Sequence, residues 1–417
     1  MRVVVTGLGT VQPFGVGVDS FRQGLREGRS AVRRVDDEIT ARYVRVVAAV
    51  PEFVPGEHLT HKQVTDTDRF TQLALVAARE ALHDAGIVRD ERISGILPRR
   101  IGVALGSAFG GVQTLEQGAA QLAVKPTGRV SPRLVSKAIP NAAAGAIAMA
   151  WDLEGPVVTY ATACASSANA IGEAVYWLRA GVVDAVLAGG AESLYTPSIL
   201  AGLGAAGALA RTGPADERAW SRPFDRDRQG MVMGEGAAML VLEPYDRALV
   251  RGAHIYGELI GYGASNDAYH ETSPHPQGRG AAQAMSSALE AAHLDGSEVG
   301  YINAHATATP AGDAAEGAAL RTVFGELIDR IPVSSIKGAV GHLLGTAGAI
   351  ESLTCLLALD EGWLPPTLHC ADPETWAPRD LVPDRAREQQ VEVALSNSFG
   401  FGGQNAALVW RRHRQGG

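Results

Sequence analysis

The chain has 417 residues, 46% hydrophobic and 20% charged, with a formal net charge of −8 at pH 7. Its apolar content excludes a disordered chain, and negative charge without a compact basic run excludes general nucleic-acid binding. No apolar run approaches the roughly 20 residues of a membrane span, and the length suits either a few domain-sized units or one large domain built from two similar halves.

Taken in order, the pattern predicts a strand over 3–6, a helix over 70–85, strands over 101–105 and 157–161, and a helix over 170–180. It then restarts with a strand over 255–263, a helix over 279–292, a strand over 300–304, a helix over 311–324 and a strand over 332–335. Strands over 391–396 and 406–410 flank a glycine-rich turn. Such alternation predicts α/β layers on a largely parallel sheet, with comparable halves at 1–250 and 251–417. Residues 411–417 read as a frayed tail. The start enters a strand at once with no signal peptide, and three scattered cysteines (Cys164, Cys355, Cys370) form neither a disulfide framework nor a zinc cluster. Both features predict a cytoplasmic protein.

Cys164 sits in Ala161-Thr162-Ala163-Cys164-Ala165-Ser166-Ser167, at a strand-to-helix turn. A helix N-terminus stabilises thiolate and lowers a cysteine pKa. Position alone leaves a small buried hydrophobe as an equal alternative.

Three further motifs bear on that choice. His305, in Asn303-Ala304-His305-Ala306-Thr307-Ala308-Thr309, follows a buried-looking strand and precedes two threonine hydroxyls. A lone histidine there is more often structural. In Lys337-Gly338-Ala339-Val340-Gly341-His342-Leu343-Leu344-Gly345, glycines allow close backbone approach beside His342. Lys337 is the only lysine beyond residue 137, and its apolar surroundings predict a buried, paired ammonium. Asn397-Ser398-Phe399-Gly400-Phe401-Gly402-Gly403 can offer backbone N–H groups to an oxyanion while its rings close a hydrophobic tunnel.

Together these motifs resemble the β-ketoacyl synthase family of thiolase-fold condensing enzymes. Val4-Val5-Thr6-Gly7-Leu8-Gly9, Leu187-Ala188-Gly189-Gly190-Ala191-Glu192, Arg222-Pro223-Phe224-Asp225-Arg226-Asp227 and Gly234-Glu235-Gly236 extend the match along the chain. The nearest subgroup is the elongating Cys-His-His synthases of bacterial fatty-acid and type II polyketide synthesis. The resemblance implies an α/β thiolase fold, five-layered αβαβα with two pseudo-equivalent halves. It also implies a dimer paired through residues 157–160 and an acyl carrier protein as partner. The carrier's phosphopantetheine is then the only prosthetic group, with no metal, organic cofactor, nucleic acid or membrane involved.

Site roles follow from the same resemblance. Cys164 is the nucleophile, its own N–H and that of Phe401 form the oxyanion hole, and Phe399 and Gly402 belong to the same loop. His305 and His342 hold the malonyl thioester carbonyl and stabilise the enolate. Lys337 sets the electrostatics around His305, with Glu316 as its partner. Thr272, Thr307 and Thr309 bind the pantetheine arm. Phe401 acts as a gate against the loop 266–272, supported by Asp267, and Ala108 and Phe109 line the acyl pocket.

Two departures concern substrate and partner. Fatty-acid elongators often carry an aliphatic residue where Phe109 stands. A ring there shortens the pocket, redirects the chain toward a partner subunit, or simply takes another rotamer. The carrier-docking helix at 61–69 keeps Lys62 and Arg69 but adds Thr65 and Asp66, and position 207 is glycine where an arginine is usual. Arg129, Arg133 and Arg211 are the candidates to compensate. These departures point to a type II polyketide or polyene pathway and a heterodimer with a chain-length-factor-like subunit. The alternative is a homodimer in housekeeping fatty-acid elongation. A non-catalytic chain-length factor is disfavoured because Cys164, His305 and His342 are all present. A thiolase is disfavoured because neither Cys355 nor Cys370 has the context of a second catalytic cysteine.

Overall fold

The computed structural model describes residues 1–36, 38, 40–51 and 53–414. Its main sheet contains β1 (Val3–Gln12), β2 (Ile101–Gly106), β3 (Val157–Tyr160), β4 (Ala185–Glu192), β5 (Gly236–Pro244), β6 (Gly257–Asn266), β7 (Tyr301–Asn303), β8 (Val333–Ser334), β9 (Val393–Gly400) and β10 (Gln404–Arg411). In space they run β8-β7-β9-β10-β6-β1-β5-β4-β2-β3. Counted from β1 or from β6, either set of five reads third-second-fourth-fifth-first from its outer edge. The directions repeat as well: β2 is parallel to β3 and β4, β7 is parallel to β8 and β9, and the remaining neighbours are antiparallel. The two sets meet where Val4 and Val5 of β1 pair with Glu258 and Gly257 of β6.

The sheet is mixed rather than largely parallel. Between β9 and β10 only residues 401–403 intervene, and so short a link can only reverse the chain. Residues 411–414 are likewise held rather than frayed: Arg411 ends β10, and the Arg412 N–H donates to the Glu392 carbonyl at 2.9 Å. Residues 415–417 lie outside the described residues.

Six helices build the layers: α1 (Arg69–Asp84), α2 (Ser166–Arg179), α3 (Pro197–Ala205), α4 (Arg279–Ala292), α5 (Pro310–Phe324) and α6 (Ala347–Glu361). Along β5, Ala237, Met239 and Val241 face a core shared with α1, while Ala238, Leu240 and Leu242 face a core shared with α2 and α6. This is the period-two alternation of a strand buried on both faces. The same happens at β10, where Ala407 and Val409 face α4 and α5, and Ala406 and Leu408 face the central helices. The layers are therefore helix, sheet, paired central helices, sheet, helix: the five-layered α/β thiolase fold.

Glycines set the distance between layers. A Cβ on Gly9 of β1 would lie 2.1 Å from the Ala77 carbonyl oxygen of α1, and a Cβ on Gly263 of β6 would lie 2.1 Å from the Ala284 oxygen of α4. Each alanine-rich outer helix thus rests its backbone on a strand that has no side chain beneath it. In the central layer, α2 and α6 meet at their N-termini, where the Ala349 N–H donates to the Ser167 hydroxyl at 2.9 Å. Among the described residues no helix is long and apolar enough to cross a membrane.

Candidate active site

β3 delivers the chain to α2 through a five-residue turn. Ala163 takes a φ of 49°, in the left-handed region, and the Ser166 hydroxyl closes the turn by accepting from the Thr162 N–H at 2.9 Å and donating to the Ala163 carbonyl at 2.6 Å. Cys164 therefore stands immediately before α2, buried to 7% exposure. Its Sγ lies 3.0 Å from Nε2 of His342.

Backbone bonds fix His342, which donates to the Val232 carbonyl and accepts from the Gly234 N–H, both at 2.8 Å. His305 follows β7, with its ring 5.3 Å from that of His342 at 82° and 5.8 Å from that of Phe399. Sγ and the two imidazoles bring ligand atoms within 4.8 Å of one another, a spacing that would also admit a soft divalent ion.

The expected Lys337–Glu316 pair is not formed. Lys337 pairs instead with Glu351, the one charge on the inner turns of α6 and fully buried, as Lys337 is. The Glu316 carboxylate is already engaged: it accepts from the N–H groups of His305 at 2.9 Å and Ala306 at 2.6 Å and from Asn397 at 3.1 Å. Glu316 thus holds the backbone that carries His305, while Lys337 and Glu351 form a separate buried ion pair. Glu351 was readable in principle, because it is the only acidic residue in the apolar run 347–359.

Electrostatics also differ from the expected helix-stabilised thiolate. Burial pushes the Cys164 thiol up to about 12, overcoming the opposing pull of Lys337 and of the Phe401 N–H that donates to it. Burial and the Lys337 charge hold His305 well below its ordinary imidazole value, with His342 adding to the effect; burial and Lys337 do the same to His342. The resting site is a thiol between two neutral imidazoles. Burial, with the Glu351 and Glu192 charges adding to it, outweighs the Lys337 charge.

Around these groups lies a cavity of about 300 Å³. Thr272, Thr307 and Thr309 line it, the last two joined by a 2.9 Å hydroxyl contact. Its apolar lining includes Ala108, Phe109, Leu203, Met231 and Leu344. Phe109 remains 52% exposed. Phe399, Phe401, Asp267 and Glu316 also line it, whereas Lys337 and Gly402 do not.

The Phe401 loop is stitched to the segment 266–275. Asn266 donates to the Gly402 carbonyl, the Gly402 N–H to the Glu271 carbonyl and the Asp267 N–H to the Gly403 carbonyl, each at 2.8 Å. Asp267 accepts from Asn405 and from the His275 N–H, each at 2.9 Å. Gly400 has no side chain where one would lie 3.2 Å from the Cys164 backbone nitrogen, which lets the Phe401 N–H and the Cys164 N–H converge.

Arg228 escaped the sequence reading although it adjoins a quoted motif. Buried beside Asp313, it donates to the Pro310 carbonyl at 2.8 Å, and Asp313 accepts from the Ala308 N–H at 3.1 Å, so the pair fixes the Thr307–Thr309 segment. On the docking face Arg69 is not free, because it binds Glu235 through two bonds of 2.7 and 2.8 Å. Arg133 pairs with Asp66 at 3.2 Å and Arg211 donates to the Gly204 carbonyl, while Lys62 and Arg129 are exposed.

Residues 1–248 match the β-ketoacyl synthase N-terminal domain and residues 256–371 its C-terminal domain. The 3-oxoacyl-[acyl-carrier-protein] synthase 2 of Vibrio harveyi is 41% identical over 413 residues, covering 99% of this chain and 98% of that one. Among solved structures, the ishigamide ketosynthase/chain length factor is 33% identical with a TM-score of 0.90, covering 99% of both chains. A type II polyketide ketosynthase, bound to the hexaketide and in complex with its acyl-carrier protein, is 31% identical with a TM-score of 0.89, again covering 99% of both. With both family domains matched and a relative 41% identical along nearly its whole length, the chain belongs to the β-ketoacyl-[acyl carrier protein] synthase family and is an acyl-transferring condensing enzyme.

Proposed function

We propose that Cys164, His305 and His342 carry a decarboxylative Claisen condensation, serving a type II polyketide or polyene pathway. The observation that carries the chemistry is the 3.0 Å Sγ to Nε2 contact, with the His305 ring beside it in the wall of one cavity.

In the first half-reaction the neutral His342 takes the thiol proton as sulfur attacks the acyl thioester carbonyl, and that proton leaves on the pantetheine thiol. The N–H groups of Cys164 and Phe401 receive the oxyanion. In the second, malonyl thioester breaks its bond to the carboxylate and releases CO2. Hydrogen bonds from His305 and His342 stabilise the resulting enolate, which attacks the acyl-Cys164 carbonyl. The thiolate leaves and takes up a proton, and the chain on the carrier is two carbons longer. Imidazoles held neutral suit this role, because each keeps one N–H to donate without trapping the enolate as an ion pair. Thr272, Thr307 and Thr309 hold the pantetheine arm, and Phe401 swings as a gate against the 266–275 segment. The cycle calls on no metal or organic cofactor.

Two features support the pathway. With Arg69 and Arg133 paired to acids of this chain, the candidate docking cations left for an acidic fatty-acid carrier are Lys62, Arg129 and Arg211. Phe109 lines the cavity yet remains half exposed, which suits a channel continued by a partner subunit. The competing reading, housekeeping fatty-acid elongation by a homodimer, is favoured by the name of the 41% identical relative. Elongation assayed side by side on a fatty-acid carrier and a type II polyketide carrier separates them. A clear preference for the polyketide carrier is expected. Equal rates would overturn the dedicated pathway and leave the condensation chemistry standing.

A further inference from the structure

Glu192 ends β4 with a fully buried carboxylate that no step of the condensation uses. Both of its oxygens are occupied. One accepts from the Ser107 hydroxyl at 3.1 Å and the Phe109 N–H at 3.4 Å; the other accepts from the Ala108 N–H at 2.5 Å and the Gly345 N–H at 3.3 Å. These donors come from two segments more than 230 residues apart in the chain. One carries Ala108 and Phe109. The other follows His342 and carries Leu344, which packs with Cys164.

Their approach is close. A Cβ on Gly345 would lie 2.7 Å from the Ala108 nitrogen and 2.4 Å from Glu192 itself. Leu344 has a φ of 49°, so its side chain is turned out of the regular path and into the cavity wall. Without the carboxylate these four donors would lose their shared acceptor, and the two segments would then separate to recover hydrogen bonds.

We propose that Glu192 is a positioning residue that fixes the width of the acyl channel just beyond Cys164, by tying the Ala108–Phe109 wall to the Leu344 wall, and so excludes acyl groups branched next to the thioester. The inference rests on the acyl-transfer role given to Cys164. It predicts a change in selectivity rather than a general loss of rate.

The test compares kcat/KM for transfer of butyryl and isobutyryl groups from the carrier to Cys164, read by intact-protein mass. The wild type favours butyryl. In Glu192→Ala the preference falls by about three- to tenfold, the worth of one or two lost hydrogen bonds at the wall. Glu192→Gln, whose amide oxygen can still accept from Ala108 and Gly345, keeps most of it. A merely structural carboxylate would lower both rates by one factor. An unchanged ratio in folded Glu192→Ala, or an equal loss in Glu192→Gln, would therefore overturn the proposal. Should Glu192→Ala not fold, Ser107→Ala withdraws a single donor and is expected to shift the ratio in the same direction by a smaller factor; no shift there would also overturn it. If wild-type protein takes up neither acyl group, the acyl-transfer role fails and the inference with it.

Discussion

At the scale of single residues, the site works by withholding charge until substrate arrives. Cys164 keeps its proton up to about 12 because burial outweighs the nearby Lys337 charge. Alkylation by iodoacetamide, which needs thiolate, is therefore expected to accelerate about tenfold per pH unit from pH 7 to 10 without levelling off; a plateau near neutrality would mean a resting thiolate–imidazolium pair instead. The sign for stability follows. The unfolded thiol ionises near 8.5 and the folded one does not, so this group's contribution is complete below about 8.5 and is lost as pH rises toward 12. Lys337 and Glu351 make the complementary case of paired, buried charge. Replacing Glu351 by Gln strands the ammonium and is expected to cost about 3–5 kcal/mol in denaturant unfolding, whereas Lys337→Met with Glu351→Leu recovers most of that loss.

At the scale of elements, the glycine-rich loop at Phe401 and the 266–275 segment act as one unit. Asp267 ties the 266–275 segment to Asn405 and to the His275 backbone, and that segment in turn holds the loop at Phe401. Asp267→Ala should loosen both, lowering kcat/KM for condensation by about tenfold while iodoacetamide reaches Cys164 faster. Unchanged condensation together with unchanged alkylation would show that the loops do not move as one. How much of this was legible varied with the signal each element carries. The turn at Cys164 and the helices 279–292 and 310–324 were readable within a few residues, because apolar periodicity and strand-to-helix punctuation are local. The bounds of helix α6 were not, because it is buried on every side and its apolar run has no polar face to mark a period. The Lys337 partner was misassigned for a related reason. Both Glu316 and Glu351 are buried acids on helices, and sequence spacing cannot tell which one three-dimensional packing brings to the ammonium.

For the whole molecule, β3 is the element that asks for a partner. Successive strand residues point to opposite faces, yet Val157 and Val158 are exposed to 38% and 39% on an outer edge of the main sheet. An edge bare on both faces fits pairing with a second subunit. Sedimentation velocity of the protein with its chain-length-factor-like partner should give the mass of two subunits, and Val158→Asp should shift it to one; a variant that stays paired would place the subunit contact elsewhere.

The shared central layer has a consequence for synthesis. Helix α2 belongs to the first set of strands and α6 to the second, and each buries the other's inner face. When β5 has left the ribosome, the nascent sheet already carries α1 on its outer side, but its inner side presents α2 with nothing against it. That apolar surface stays open while every residue from β6 through β8 is translated, because only then does α6 emerge. The protein passes its most aggregation-prone moment midway through its own birth, before any substrate or partner can protect it.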